Sequence, residues 1–292
     1  MLRAIGYAAF FLCSVVFGLY ETFPWNAVKD RLFEMARKES GIELEAADFG
    51  PNWVTGFRAK GLRIKPSPLS ETWIELDEAG GRVAIIPLLR KQLAGSVWAE
   101  AGKGTFDASF SSTENQLTAE VSLSAVDFSL VKGLREWSGL PLEGKISLDL
   151  DLALDKKEVK NSQGKLEFST AGLKTIPGGK AGPFPIPELE IGNIKLSAPI
   201  KEGKLTFEKS KLDGTDLGVR LDGTIQLAWP LARAMANVDV GLKPSEKIFA
   251  ADPLLKPLLM NFNRTKDDEG FYHVILSGPI RSMRPRPGTG KS

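Results

Sequence analysis

Cysteine and histidine are almost missing from this chain. Each occurs once in 292 residues, as Cys13 and His273. A single cysteine closes no intramolecular disulfide and builds no cysteine-based zinc site, so packing has to carry the stability of the body. One imidazole falls short of the usual zinc ligand sets as well. An excess of either charge is also absent, since 38 basic against 36 acidic residues leave a net charge of +2. Without a basic stripe there is little to gather a polyanion, and nucleic acid is not an expected partner. Nucleotide and nucleophile signatures are missing too: no G-x-G-x-x-G follows a strand pattern and no G-x-S-x-G elbow occurs. A doubly wound nucleotide-binding fold is therefore not expected. The sequence assigns no catalytic, cofactor-binding or metal-binding residue, and the expectation is of a protein that is not an enzyme.

What is present begins with one long apolar run. From Ala4 to Tyr20 no residue is charged, and Phe10, Phe11, Leu12, Val15, Val16 and Phe17 supply the apolar bulk. That is close to the shortest stretch that spans a bilayer as a helix, about 17 residues. Arg3 and the α-amino group lie on its short side, which the positive-inside bias keeps in the cytoplasm. Tyr20 to Trp25 contain no small-residue cleavage pattern, whereas an aromatic cluster is what borders a retained helix. Leu12, bulky and directly before Cys13, argues against lipoprotein processing. Residues 1–23 are thus predicted to be an uncleaved, single-pass anchor in the inner membrane, with the N-terminus cytoplasmic and the C-terminal domain periplasmic.

Beyond the anchor, Trp25, Val28, Leu32, Met35 and Ala36 recur at helical spacing, and Ser40-Gly41 stops the pattern. This predicts an amphipathic linker helix over 24–40, its other face carrying charges of both signs. After Gly41 the period becomes two. Ile146, Leu148, Leu150, Leu152 and Leu154 alternate with polar or small residues, and segments 117–123, 217–227 and 238–242 repeat the pattern. One-sided alternation with short turns predicts antiparallel meanders, so 41–282 reads as a mainly β domain. Short helices are expected at 87–92, 129–138 and 253–260. Four prolines and a glycine pair crowd 176–187, marking a rigid loop or a boundary between two β units. The Pro-, Gly- and Arg-rich tail, 283–292, is expected to be disordered.

Three places could be imagined as chemistry. His273 lies in an apolar strand pattern, where a core or solvent-facing imidazole explains it without a metal or a triad. Asp149 and Asp151 share a strand face like an acid and base pair, yet alternation alone puts them on the wet face. Asp267, Asp268 and Glu269 precede Gly270, a composition that a solvated turn explains as well as calcium does. Trp53, Trp73, Trp98, Trp137 and Trp229 suit either a core or an interface.

Read as a line of motifs, the chain resembles the N component of the bacterial type II secretion system. The stretches that carry this are the anchor, F-P-W-N-A-V-K-D-R-L from Phe23 to Leu32, and D-F-G-P-N-W-V-T-G-F-R-A-K-G-L-R-I from Asp48 to Ile64. They continue with I-P-L-L-R from Ile86 to Arg90 and G-F-Y-H-V-I-L-S-G-P-I from Gly270 to Ile280. The chain also looks like the broader AsmA-like envelope proteins. The resemblance implies an elongated, groove-like or half-barrel antiparallel sheet, with Leu88 and Leu89 in a short helix closing one end. It implies a non-catalytic periplasmic accessory that contacts the inner membrane and other secretion subunits, and carries over no functional residue. The alternative is a lipid-binding or lipid-transfer protein whose apolar groove takes phospholipid.

Overall fold

The computed structural model describes residues 22, 24–52, 55–66, 71–138, 141–176, 180–181, 184–185, 188–213, 216–246 and 263–288. The predicted anchor over 1–23 falls almost wholly outside the described residues. Among those residues no helix is long and apolar enough to cross a membrane.

Helix α1 (Trp25–Ser40) begins directly after Pro24 and ends where Gly41, at φ 72°, gives its N–H to the carbonyl of Arg37. Only a residue tolerant of the left-handed region closes a helix this way. Phe33 meets Phe49 edge-on at 6.1 Å, and Phe49 stacks on Phe57 at 5.4 Å. Met35, expected on the packed face, is exposed instead. Trp25, Val28, Leu32, Phe33 and Ala36 form the stripe, a choice the sequence blurs because Phe33 lies three residues before Ala36 and Met35 three after Leu32, so helical spacing admits either.

The rest is mainly β. The strands are β1 (Glu43–Asn52), β2 (Gly56–Lys65), β3 (Ile74–Val83), β4 (Leu93–Ala101), β5 (Gly104–Ser112), β6 (Gln116–Asp127), β7 (Leu142–Asp155) and β8 (Gln163–Thr175). A two-residue pair, β9 (Lys180–Ala181) and β10 (Phe184–Pro185), stands apart. Then come β11 (Glu190–Gly192), β12 (Lys195–Lys201), β13 (Lys204–Asp213), β14 (Leu217–Gln226), β15 (Met235–Pro244), β16 (Tyr272–Pro279) and β17 (Arg284–Pro287). All except β9 and β10 belong to one open antiparallel sheet of 15 strands, paired in chain order, with β11 on β8 beside β12. The sheet runs on through the proline-rich segment, because β8 and β12 pair across it.

The alternation read from the sequence sets the register. Leu148, Leu150 and Leu152 of β7 face Leu123, Val121 and Ala119 of β6. Short helices interrupt at α2 (Ile85–Leu89) and α3 (Leu134–Ser138), close to two of the expected places; the third, 253–260, lies outside the described residues. The tail departs from expectation, since Arg284–Pro287 pair with β16 as an edge strand.

Because every connection is a meander, the sheet has two rims. One carries the β1–β2 turn, α2 and the β14–β15 connection; the other carries the end of α1, the β4–β5 turn and the β6–β7 connection. Between β12 and β13 the pairing lasts only two residue pairs, Ile200 with Leu205 and Lys201 with Lys204, and then the strands part. Leu154 of β7, Leu196 and Ile200 of β12, Leu205 and Phe207 of β13, and Val238 of β15 pack into one buried cluster drawn from both sides of that splay. The parted halves are tied at the opposite rim, where Asp216 gives its N–H to the carbonyl of Glu190 at 2.9 Å and accepts the Glu190 N–H at 2.9 Å. The splay lets the sheet cover its own apolar face, with each fully buried leucine contributing roughly 2 to 3 kcal/mol.

Candidate functional site

The apolar face of the sheet is continuous but unevenly covered. Val97, Ala108, Val121, Leu150, Leu166 and Ala198 are successive cross-strand neighbours from β4 to β12. Along that row Val97 is 40% exposed and Ala198 is fully buried. Leu93, on the same face of β4, is exposed too, while Leu152 and Leu154 are buried. The face is thus packed under the C-terminal strands and open at β4. It offers apolar area that water wets at a cost, which is what a partner or an acyl chain would relieve.

The opposite face over β4 to β8 is acidic. A depression of about 510 Å³ is lined by Asp107, Glu120, Asp149, Asp151 and Glu167, with Lys165 ion-paired to Glu167. Asp149 accepts a hydrogen bond from the Ser122 hydroxyl at 2.7 Å, and both Asp149 and Asp151 are exposed, as their place on the wet face requires. Among the described residues no group of three or more His, Cys, Asp or Glu side chains is placed to hold a metal.

His273 is the surprise of the same face. It is buried on β16, with Nδ1 3.0 Å from Asp239 of β15 and Nε2 3.1 Å from Asp267. Asp267, whose side chain is only 6% exposed, also accepts the Phe271 N–H at 2.8 Å and Arg220 Nη1 of β14 at 3.3 Å. Arg220 reaches Glu269 as well and lies 4.3 Å over the Phe271 ring. Asp268 and Glu269 lie exposed in the expected turn, but the Asp267 side chain is buried and, with Glu269, takes part in an ion network. The turn folds back and Phe271 seals it, an event that no local pattern encodes.

Burial pulls the His273 pKa down, but the hydrogen bonds and charges of Asp267 and Asp239 outweigh it and hold the ring above its ordinary value. Burial likewise pushes Asp267 up, and the Phe271 N–H, His273 and Arg220 together hold it below the usual carboxylate range. A ring with a carboxylate at each nitrogen is satisfied only as the imidazolium, which donates twice. In that state it has no lone pair for a metal or for a nucleophile's proton.

No protein-family model, curated protein or solved structure matches this chain.

The tryptophans divide. Trp98 lies across Gly80, where an added Cβ would come within 2.7 Å of the indole. Trp73 takes Arg63 over its ring at 4.9 Å. Trp229 is exposed, with Lys156 at 4.8 Å. Trp53 lies outside the described residues. The feature with most unsatisfied surface is the apolar one, the open face at β4 and the rim beside it. Sequence alternation named that face but could not say where it would be left open.

Proposed function

We infer that this protein is a membrane-tethered, non-catalytic accessory of the type II secretion machinery that acts through contacts made by its sheet. The observation that carries the reading is the open sheet whose apolar face is packed under its C-terminal strands and exposed at Leu93 and Val97. Such a face serves binding, and His273, the residue type most used for proton transfer, is fully occupied by Asp239 and Asp267. The resemblance of Phe23–Leu32, Asp48–Ile64, Ile86–Arg90 and Gly270–Ile280 to the N component supplies the machinery. The apolar run Ala4–Tyr20, with Arg3 on its short side, supports a tether in the inner membrane and a sheet on its periplasmic side.

Deleting the gene is expected to lower export of secreted enzymes, and tagged full-length protein should bring secretion subunits with it from solubilised membranes. Wild-type export together with an empty pull-down would sink the proposal.

A second reading has its own support. Leu93 and Val97, exposed on the apolar face, suit an acyl chain lying along a groove-like or half-barrel sheet, as in a lipid-handling protein. Native mass spectrometry of the detergent-purified protein should then find phospholipid at a fixed stoichiometry, lost in Val97→Glu. Lipid bound equally to both proteins would leave only the secretion reading.

A further inference from the structure

Exposed apolar side chains are gathered on one rim. Of the thirteen large hydrophobic residues exposed among the described residues, ten lie at the rim that carries α2. Four are Trp229, Met235, Ile280 and Met283, around the ends of β14 to β16. Six are Val83, Ile85, Ile86, Leu88, Leu89 and Leu93, in α2 and the strand ends that hold it. Within α2, Ile86 is 68% exposed and Leu89 is 80% exposed. A soluble surface tolerates scattered apolar residues, but a contiguous knob of this kind marks a contact.

The fold says which neighbour is near. The Phe33, Phe49 and Phe57 contacts place the middle of α1 close to the β1–β2 turn, because Phe57 is the second residue of β2. That turn is tied to the strand end that leads into α2: the Val83 N–H, at the end of β3, donates to the carbonyl of Thr55 at 3.2 Å, and α2 begins two residues later at Ile85. From Phe33 back to Trp25 the helix extends about 12 Å at 1.5 Å per residue, antiparallel to β1 and so toward the α2 rim. The apolar run Ala4–Tyr20 joins α1 at that end through Glu21–Pro24. Beside the knob, Arg82, Arg90 and Lys91 are exposed, and none forms an ion pair among the described residues. Aliphatic side chains ringed by free cations match the boundary of an anionic bilayer.

We propose that the α2 rim rests on the bilayer that the N-terminal apolar run enters, with Ile86 and Leu89 dipping below the headgroups and Arg82, Arg90 and Lys91 meeting anionic lipid. This makes α2 a second membrane contact that fixes the orientation of the sheet over the surface, and it rests on the tether reading above.

The test uses the full chain with Cys13→Ser, reconstituted into vesicles of phosphatidylethanolamine and phosphatidylglycerol. A polarity-sensitive fluorophore is attached to Leu89→Cys or, at the opposite rim, to Leu130→Cys. The expected result is blue-shifted emission at position 89 that spin-labelled lipid quenches several-fold more than emission at position 130, and that Ile86→Ser weakens. Protein that sediments with vesicles but shows the same aqueous emission at both positions overturns the rim contact and leaves the tether standing. Protein that stays in the supernatant overturns the tether, and the rim contact with it. Blue-shifted emission at 89 that lipid does not quench assigns the knob to a protein neighbour, such as a second copy, and overturns the proposal as well.

Discussion

An imidazole clasped by two carboxylates is stable as a cation, and that ties His273 to pH. Its folded pKa lies above the ordinary 6.5, so its contribution is complete below that value and is lost as pH rises through the raised one. Asp267 works from the other side. Its folded pKa is depressed from 3.8, so its contribution is present above that value and is lost as pH falls through the folded one. The network should hold most firmly in the mildly acidic window between the two. Thermal unfolding across pH is expected to show wild-type protein losing stability relative to His273→Gln as pH climbs past neutrality, and parallel curves would refute it. Asp267→Ala, which takes one carboxylate from each of Arg220 and His273 inside a buried network and strands the Phe271 N–H, should cost about 3 kcal/mol in denaturant unfolding. The sequence held part of this: alternation puts Asp239 and His273 on the polar side of neighbouring strands. It could not show that Asp267 returns to close the network, because that depends on how residues 263–271 lie against Arg220.

Strands β6, β7, β14 and β15 were legible because each alternates over enough residues to outweigh local noise, as Leu117 to Leu123 and Ile146 to Leu154 do, whereas β16 was legible from its run of apolar residues, Val274 to Leu276. Strand β17 was not, because R-P-R-P reads as linker until its register is known. Gly288 gives its N–H to the carbonyl of His273, so the N–H groups two residues apart from it turn inward and positions 285 and 287 turn theirs outward. Prolines at those two positions leave the outer edge without donors, which keeps another strand from adding there. Arg286, between them, bonds the Ser277 hydroxyl at 2.9 Å through Nε. Replacing Pro285 and Pro287 together by alanine should restore the donors and shift the protein toward self-association in sedimentation velocity, with little change in unfolding midpoint. A variant that stays as monodisperse as wild type would mean that something else guards this edge. The splay of β12 from β13 was illegible for a related reason: both strands alternate normally, and only the count of pairs, two, reveals the corner.

Across the whole molecule the core is lopsided. Thirteen of the sixteen buried hydrophobic residues among the described ones follow residue 150, although apolar alternation begins well before it. The sequence announced the apolar face in both halves alike; the corner at β12 and β13 decides which half gets covered, and that corner is a tertiary event. Leu154, 1% exposed in the packed half, should cost about 3 kcal/mol when changed to alanine, since the surrounding cluster cannot fully collapse onto the gap. Local opening follows the same asymmetry, because a strand with few buried side chains gives up little when it separates. Hydrogen exchange is therefore expected to be slower in β7 and β12 to β15 than in β3 to β5 by roughly tenfold or more. Gradual loss of protection toward the N-terminal strands would fit a face kept available for binding. Equal protection in all strands would mean that the halves open as one unit, and that Val97 and Leu93 are less free to receive a partner than their exposure implies.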